Sequence, residues 1–169
     1  MLWKARNSME FFSTVAGKAI ITFLIPMVPV IELRGAIPYA IAAGIEPWLA
    51  FVLSVMGNML PVPFILLFIR KIFGWMKKYP RLGRIAEKME KRAANKSSGV
   101  KKSELIGLCL LVAIPLPGTG AWTGSLVAAL MDMRMKKALP TIFVGVVIAG
   151  IAVTLVVSLG IEALSWMVG

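Results

Sequence analysis

The stretch Leu49-Ala-Phe-Val-Leu-Ser-Val-Met-Gly-Asn-Met-Leu-Pro-Val-Pro-Phe-Ile-Leu-Leu-Phe-Ile69 runs for 21 residues without a charge and stops at Arg70. At 1.5 Å per residue this makes a helix of roughly 31 Å, enough to cross the hydrocarbon core of a bilayer. The next segment is opposite in character. Twelve Lys and Arg lie between Arg70 and Lys102, opposed only by Glu87 and Glu90, so one segment holds +10 of the chain's formal +11. Lys and Arg gather in short cytoplasmic loops of membrane proteins. The junction at Arg70 therefore reads as a membrane helix emerging into the cytoplasm, with residues 70–104 on that side.

The rest of the chain agrees with this reading. Of its 169 residues 59% are hydrophobic and 16% charged, with mean hydropathy +0.84. An average globular domain is about 45–50% apolar and about 25% charged, which excludes an ordinary soluble domain and a disordered chain alike. A second uncharged run, Ala138–Ile161, is 24 residues long. These two runs are the expected transmembrane helices, the first kinked or broken at Pro61 and Pro63. The first apolar run is not followed by a small-residue cleavage site, so no signal peptide is expected. Within the basic loop, Leu82, Ile85, Ala86 and Met89 recur at helical spacing among Lys and Arg. Residues 79–94 are thus expected to form an amphipathic helix on anionic lipid. Nucleic acid is not an expected partner, because the basic run is a loop between membrane segments.

Two other apolar stretches are interrupted. Ala19–Ile45 contains Pro26, Pro29, Glu32, Arg34, Gly35 and Pro38; Leu105–Met131 contains Pro115-Leu-Pro-Gly-Thr-Gly-Ala-Trp-Thr-Gly124. Irregular backbone at membrane depth is tolerated only where protein buries it or water reaches it. Both stretches are expected to be re-entrant hairpins, the alternative being kinked spanning helices. The fold expected is an all-α polytopic membrane protein of two inverted repeats, each a re-entrant helical hairpin followed by a transmembrane helix. Residues 1–18 form an N-terminal amphipathic or interfacial segment and 19–69 the first repeat. The basic loop occupies 70–104, the second repeat 105–161 and a C-terminal tail 162–169. The outer turn Glu46-Pro47-Trp48 has no Lys or Arg, whereas the exit Asp132-Met-Arg-Met-Lys-Lys137 is basic, so the two halves take opposite orientations. Inverted repeats with broken helices at the midplane mark secondary transporters. Whether residues 1–25 cross the membrane is left open by the sequence.

The candidate site residues are those that do not belong in lipid. Glu32 and Arg34 are ionisable residues inside a membrane segment, where each costs at least about 2.5–3.5 kcal/mol at the centre. Pro29 and Pro38 bracket them and favour a non-helical stretch, in which residues two apart share a face. Arg34 then offers a planar fork of donors to a phosphate or carboxylate, and Glu32 a proton-coupling or cation site; alternatively the two neutralise one another, or Arg34 caps backbone carbonyls of the hairpin tip. Gly118, Thr119 and Gly120 open the return arm of the second hairpin, where a helix N-terminus favours anions and Trp122 can wall an apolar pocket. The alternative there is close helix packing through small residues. Asn58, with Ser54, Gly57 and Pro61, either lines the cavity or hydrogen-bonds across helices.

The chain has no His and one cysteine, Cys109. Imidazole chemistry, intrachain disulfides and CxxC zinc sites are thereby excluded. With no hydrolytic triad and no acid cluster, no enzymatic activity is expected, and no cofactor beyond a coupling proton or Na+.

The run Ile31-Glu32-Leu33-Arg34-Gly35-Ala36-Ile37-Pro38, then Gly57-Asn58 and Pro61, then Pro115–Gly124, resembles the small bacterial and archaeal membrane proteins catalogued as small multidrug export proteins. The resemblance covers roughly residues 20–160 and implies efflux. More loosely, the architecture is similar to DedA-type membrane proteins, whose paired re-entrant hairpins are linked to translocation of polyprenyl-phosphate lipid. That likeness implies a substrate phosphate at Glu32 and Arg34. The leading expectation is a small secondary transporter or lipid translocase of the inner (plasma) membrane, multi-pass, moving a small amphipathic substrate with an anionic head group. Efflux of lipophilic cations and a non-transporting scaffold are the alternatives. Membrane lipids are the expected partners, and the small size is compatible with a homodimer.

Overall fold

A computed structural model of the chain describes residues 14–76, 104–114, 116, 118–131 and 133–168, with isolated positions at 78, 84, 87, 88 and 91. All regular structure among the described residues is helical. Of the expected amphipathic helix of residues 79–94 only Arg84, Glu87, Lys88 and Lys91 are described, all four helical; its other residues and most of the N-terminal segment lie outside the described residues. The chain divides into two units: residues 1–58 with 150–169, and residues 59–149.

In the first unit, α1 spans Val15–Leu24 and is capped by Thr14, whose Oγ1 accepts from the Gly17 N–H at 3.2 Å. A short 3-10 turn, Ile25–Met27, comes next. The break has a simple cause: Pro26 has no N–H to offer the carbonyl of Thr22, four residues before it. The chain turns through residues 28–31 and re-enters helix as α2, Glu32–Ala42. That helix closes with Gly44 at φ +84° and the Ile45 N–H donating to the Ala40 carbonyl at 2.9 Å. This is a Schellman end, and Ile45 packs on Ala40 and Ala50 as such ends favour. The Lys18 ammonium donates to the Ala43 carbonyl at 2.7 Å, tying α1 to the C-terminus of α2. Helix α3 is Pro47–Met59, whose Ala50, Ser54, Val55, Gly57 and Asn58 are buried.

The second unit contains α4, Pro61–Met76, then α5, Glu104–Ala113, and α6, Ala121–Leu130. Helix α6 packs against both α4 and α5. The last helix, α7, spans Met135–Val168, its residues up to Ala149 lying in this unit. The core here is aliphatic, with Leu108, Val112, Val127, Ile142 and Val146 essentially inaccessible.

Two segments are long and apolar enough to cross a membrane: Pro47–Ile69, 23 residues interrupted at Leu60, and Met135–Ala163, 29 residues. Only 33% and 28% of their most apolar stretches are buried by the chain itself. A soluble core helix would be mostly covered, whereas here Phe64, Leu67, Phe68, Val144, Leu155 and Val156 stand exposed. Apolar exposure on this scale marks a surface that meets lipid or another protein.

The first long segment is broken into two helices, one of the outcomes expected of Pro61 and Pro63, which cannot donate across the junction, and the residue before a proline disfavours helix. Two boundaries differ from the sequence reading. The helix after the break continues past Ile69 to Met76, into the basic segment. The expected tail at 162–169 is helical to Val168.

Candidate functional site

Glu32 is the one non-glycine residue with positive φ among the described residues, at +50°, and it is 4% exposed. Holding a residue with a Cβ in that region costs on the order of 1–3 kcal/mol and persists only where surroundings impose it. The surroundings are visible. The Glu32 N–H donates to the Val28 carbonyl at 3.1 Å and the Gly35 N–H to the Ile31 carbonyl at 3.2 Å, so the turn is hydrogen-bonded straight into α2. Glu32 stands in the first turn of that helix, where the macrodipole favours a carboxylate.

Arg34 lies two residues later, half-buried and within electrostatic reach of Glu32. The non-helical stretch expected between Pro29 and Pro38 is corrected here: the irregular part is residues 25–31, and Glu32, Arg34 and Pro38 are all helical. Pro38 is accommodated inside α2, where it leaves the Arg34 carbonyl without its i+4 donor. Two residues apart on a helix are about 200° apart around the axis, so the shared face of an extended strand is not formed. The pair is coupled through space instead.

In the second unit the residues before α6 are shaped by glycine. Gly118 has φ +77° and Gly120 φ +131°, and Gly120 caps α6 without a side-chain acceptor. The Thr119 hydroxyl lies 2.8 Å from the Ile114 carbonyl and 2.7 Å from the Leu116 carbonyl, and the Thr123 hydroxyl donates to the Gly118 carbonyl at 3.0 Å. Both hydroxyls are directed into the loop's own backbone and hold its shape. Trp122 is partly buried on the first turn of α6.

Asn58 is fully buried on α3, and so is Ser54, one turn earlier. Neither the Ser54 hydroxyl nor the oxygen or nitrogen of the Asn58 amide has a hydrogen-bond partner. A buried polar group left unsatisfied costs about 1–3 kcal/mol. Between them Gly57 meets the end of α1: a Cβ there would run into the Phe23 carbonyl and lie 3.2 Å from Pro26 Cγ. Thr22, also fully buried, donates its hydroxyl to the Lys18 carbonyl at 2.8 Å. Residue type alone does not single out Ser54 or Thr22, since a lone hydroxyl in an apolar helix usually bonds its own backbone. The sequence signal for Ser54 is its i, i+4 spacing from Asn58.

The second unit also has a shallow groove of about 300 Å³ lined by Leu105, Ile106, Cys109, Pro140, Thr141 and Val144. No charged side chain lines it.

No curated protein and no solved structure matches the chain. A similarity to DedA-type proteins is therefore not shown. One family pattern does match, over residues 32–152, which takes in Glu32, Arg34, Asn58 and the Gly118–Gly120 loop. That span is well over half of the 169 residues, and the chain belongs to the family of proposed small multi-drug export proteins.

Proposed function

We propose that this protein is a multi-pass secondary exporter of small amphipathic compounds, with Glu32 as the residue that exchanges a proton for a lipophilic cation. The observation that carries this reading is the Glu32 carboxylate, buried and held at positive φ in an apolar chain. Charge in such a place is retained for pairing. Arg34 supplies a counter-charge at rest; a cationic substrate competes with it for the carboxylate. The family's name supports efflux, and the exposed apolar faces support a site reached from lipid.

The architecture fits re-entrant hairpins. Helices α1 and α2 have 10 and 11 residues, and α5 and α6 have 10 each. At 1.5 Å per residue each is about 15 Å, half of a bilayer core. Each hairpin is followed by a long apolar segment. The basic stretch after Arg70 orients the first of these outside to inside, and the second then runs the other way.

Reconstituted protein tests the assignment. A pH gradient should drive movement of tetraphenylphosphonium in wild-type vesicles and fail to do so with Glu32→Gln. Wild-type rates in that variant would remove Glu32 from the mechanism. A second reading, translocation of a phosphate-headed lipid, is favoured by the N-terminus of α6, whose cap residue Gly120 supplies no side-chain acceptor. Thermal stabilisation by phosphate-headed lipid, and not by tetraphenylphosphonium, would favour it over cation efflux.

A further inference from the structure

In the first unit, the seam between α3 and the broken end of α1 holds buried polar side chains. Ser54 and Asn58 are fully buried one turn apart, and none of their side-chain polar atoms has a partner. Groups in that condition are costly unless something else satisfies them.

The fold does not require polar residues in these places. In the second unit Gly145 on α7 meets the Cys109 carbonyl at 2.9 Å from a virtual Cβ, much as Gly57 on α3 meets the Phe23 carbonyl. Three residues before each glycine stand Ser54 and Ile142, and one residue after stand Asn58 and Val146; all four are 0% exposed. Seven residues before each stand Ala50 and Ala138, again both at 0%. The same packing is thus built once with Ile and Val and once with Ser and Asn, at equal burial. The polar pair answers to something other than packing.

The chemistry of the seam selects a cation. Asn58 Oδ1 and Ser54 Oγ are neutral oxygen donors. The Phe23 carbonyl abuts α3 at the residue beside Asn58. Helix α1 ends here, so its partial negative end lies on this side, and Pro26 removes the donor for the Thr22 carbonyl. Unwound carbonyls and half-helix C-termini of this kind hold alkali ions in transporters. Hard cations take oxygen ligands, and divalent ones draw on carboxylates, so two neutral side chains suit a monovalent ion. An anion would meet the wrong end of the dipole.

We propose that Ser54 and Asn58, with backbone carbonyl oxygens at the broken end of α1, bind a largely dehydrated monovalent cation of the Na+ class. Asn58 Nδ2 is left to hydrogen-bond a retained water of the ion. As a coupling site this rests on the exporter reading; as an ion site it does not.

Purified full-length protein in detergent provides the test. Radiolabelled Na+ binding is measured by scintillation proximity, and melting is followed in NaCl and in choline chloride at equal ionic strength. Wild type should bind Na+ saturably and melt higher in NaCl than in choline chloride. Even outer-shell partners of a metal ligand are worth about 10–100-fold in affinity, so Asn58→Val should weaken Na+ binding at least tenfold, and Ser54→Ala measurably. In choline chloride Asn58→Val should melt no lower than wild type, which shows that it folds. Wild-type affinity in Asn58→Val would overturn the site. So would no saturable binding by wild type together with higher melting of Asn58→Val in both salts, the signature of a pair that holds only a water. Binding is read without transport, so a negative result here leaves the exporter reading intact, and failed export leaves the ion site intact.

Discussion

Gly57 and Gly145 hold the same place in two separate seams. Each lies on a long apolar segment, each meets a carbonyl of the first arm of a helical hairpin, and each is flanked by fully buried residues three before and one after. Around Gly145 these are Ile142 and Val146, and the unit closes as an aliphatic core. Around Gly57 they are Ser54 and Asn58, and the seam is left with three unpartnered polar atoms. The hairpins differ in the same sense. The second arm α6 starts from glycines in open backbone, whereas α2 starts from a buried, strained Glu32. Packing needs are met equally in both units, so the difference locates chemistry. The second unit shows what the architecture needs; what the first has beyond it is a candidate for function.

The largest effects should come where the two seams agree. Gly57→Ala drives a methyl into the Phe23 carbonyl, and Gly145→Ala drives one against both the stiff Val112 side chain and the Cys109 carbonyl. Overpacking of this kind costs about 1–3 kcal/mol and more when backbone must move. Both variants should lose most folded protein in a detergent thermal-stability assay. Gly160→Ala is the control: nothing lies within 4 Å of the added carbon, and the helix should gain about 0.5–1 kcal/mol. Wild-type stability in Gly57→Ala would show that the seam is looser than described.

Next come the positions where the seams differ. Val146→Asn places an unpartnered amide in an aliphatic core and should lower stability by about 1–3 kcal/mol. The reciprocal change, Asn58→Val, removes such a group and should be neutral or stabilising in Na+-free buffer. Opposite signs for the two exchanges, read as melting shifts, are the expected outcome. Equal losses would mean that Asn58 has a packing role that Val146 shares, and the comparison would fail.

Much of this is legible in the sequence. The uncharged runs 49–69 and 138–161 carry the long segments, because length and charge alone decide whether a helix can cross lipid. Pro61 and the Pro115–Gly124 run announce breaks. The sequence misplaces the break in the first hairpin. It contains three prolines, Pro26, Pro29 and Pro38, and a proline within a helix looks the same as a proline that ends one. Pro26 breaks α1, while Pro38 is absorbed, since its fixed φ is helical and only the Arg34 carbonyl loses a donor. Thr119 reads as a ligand hydroxyl because residue type cannot tell an outward hydroxyl from one turned onto its own backbone. The weight of Asn58 is invisible for a different reason: it depends on Val146 standing at the matching position, and that equivalence comes from shared contacts, not from residue identity.

Glu32 gives a smaller and sharper test of the same contrast. Glu32→Gly should relieve the left-handed backbone, a gain of about 1–2 kcal/mol, while removing the buried carboxylate. Stability should rise as proton-driven export is lost, and Glu32→Gln should lose export without the backbone gain. If Glu32→Gly melts below wild type, the carboxylate is a structural partner of α2, and the strained turn carries no functional argument.

The smallest effect concerns a tie within the first hairpin. Lys18 reaches from α1 to the Ala43 carbonyl at the C-terminus of α2, where a cation is favoured by the helix dipole. Lys18→Met keeps the apolar stem and removes the ammonium, and should lower the melting temperature by the equivalent of about 0.3–1 kcal/mol. The loss should shrink at high salt to the degree that the site is reached by solvent. Lys18 is half-buried, so part of the effect should persist. A purely screened interaction would vanish in about 1 M salt, and the tie would then be surface electrostatics rather than a clasp that sets the angle at which Glu32 enters α2.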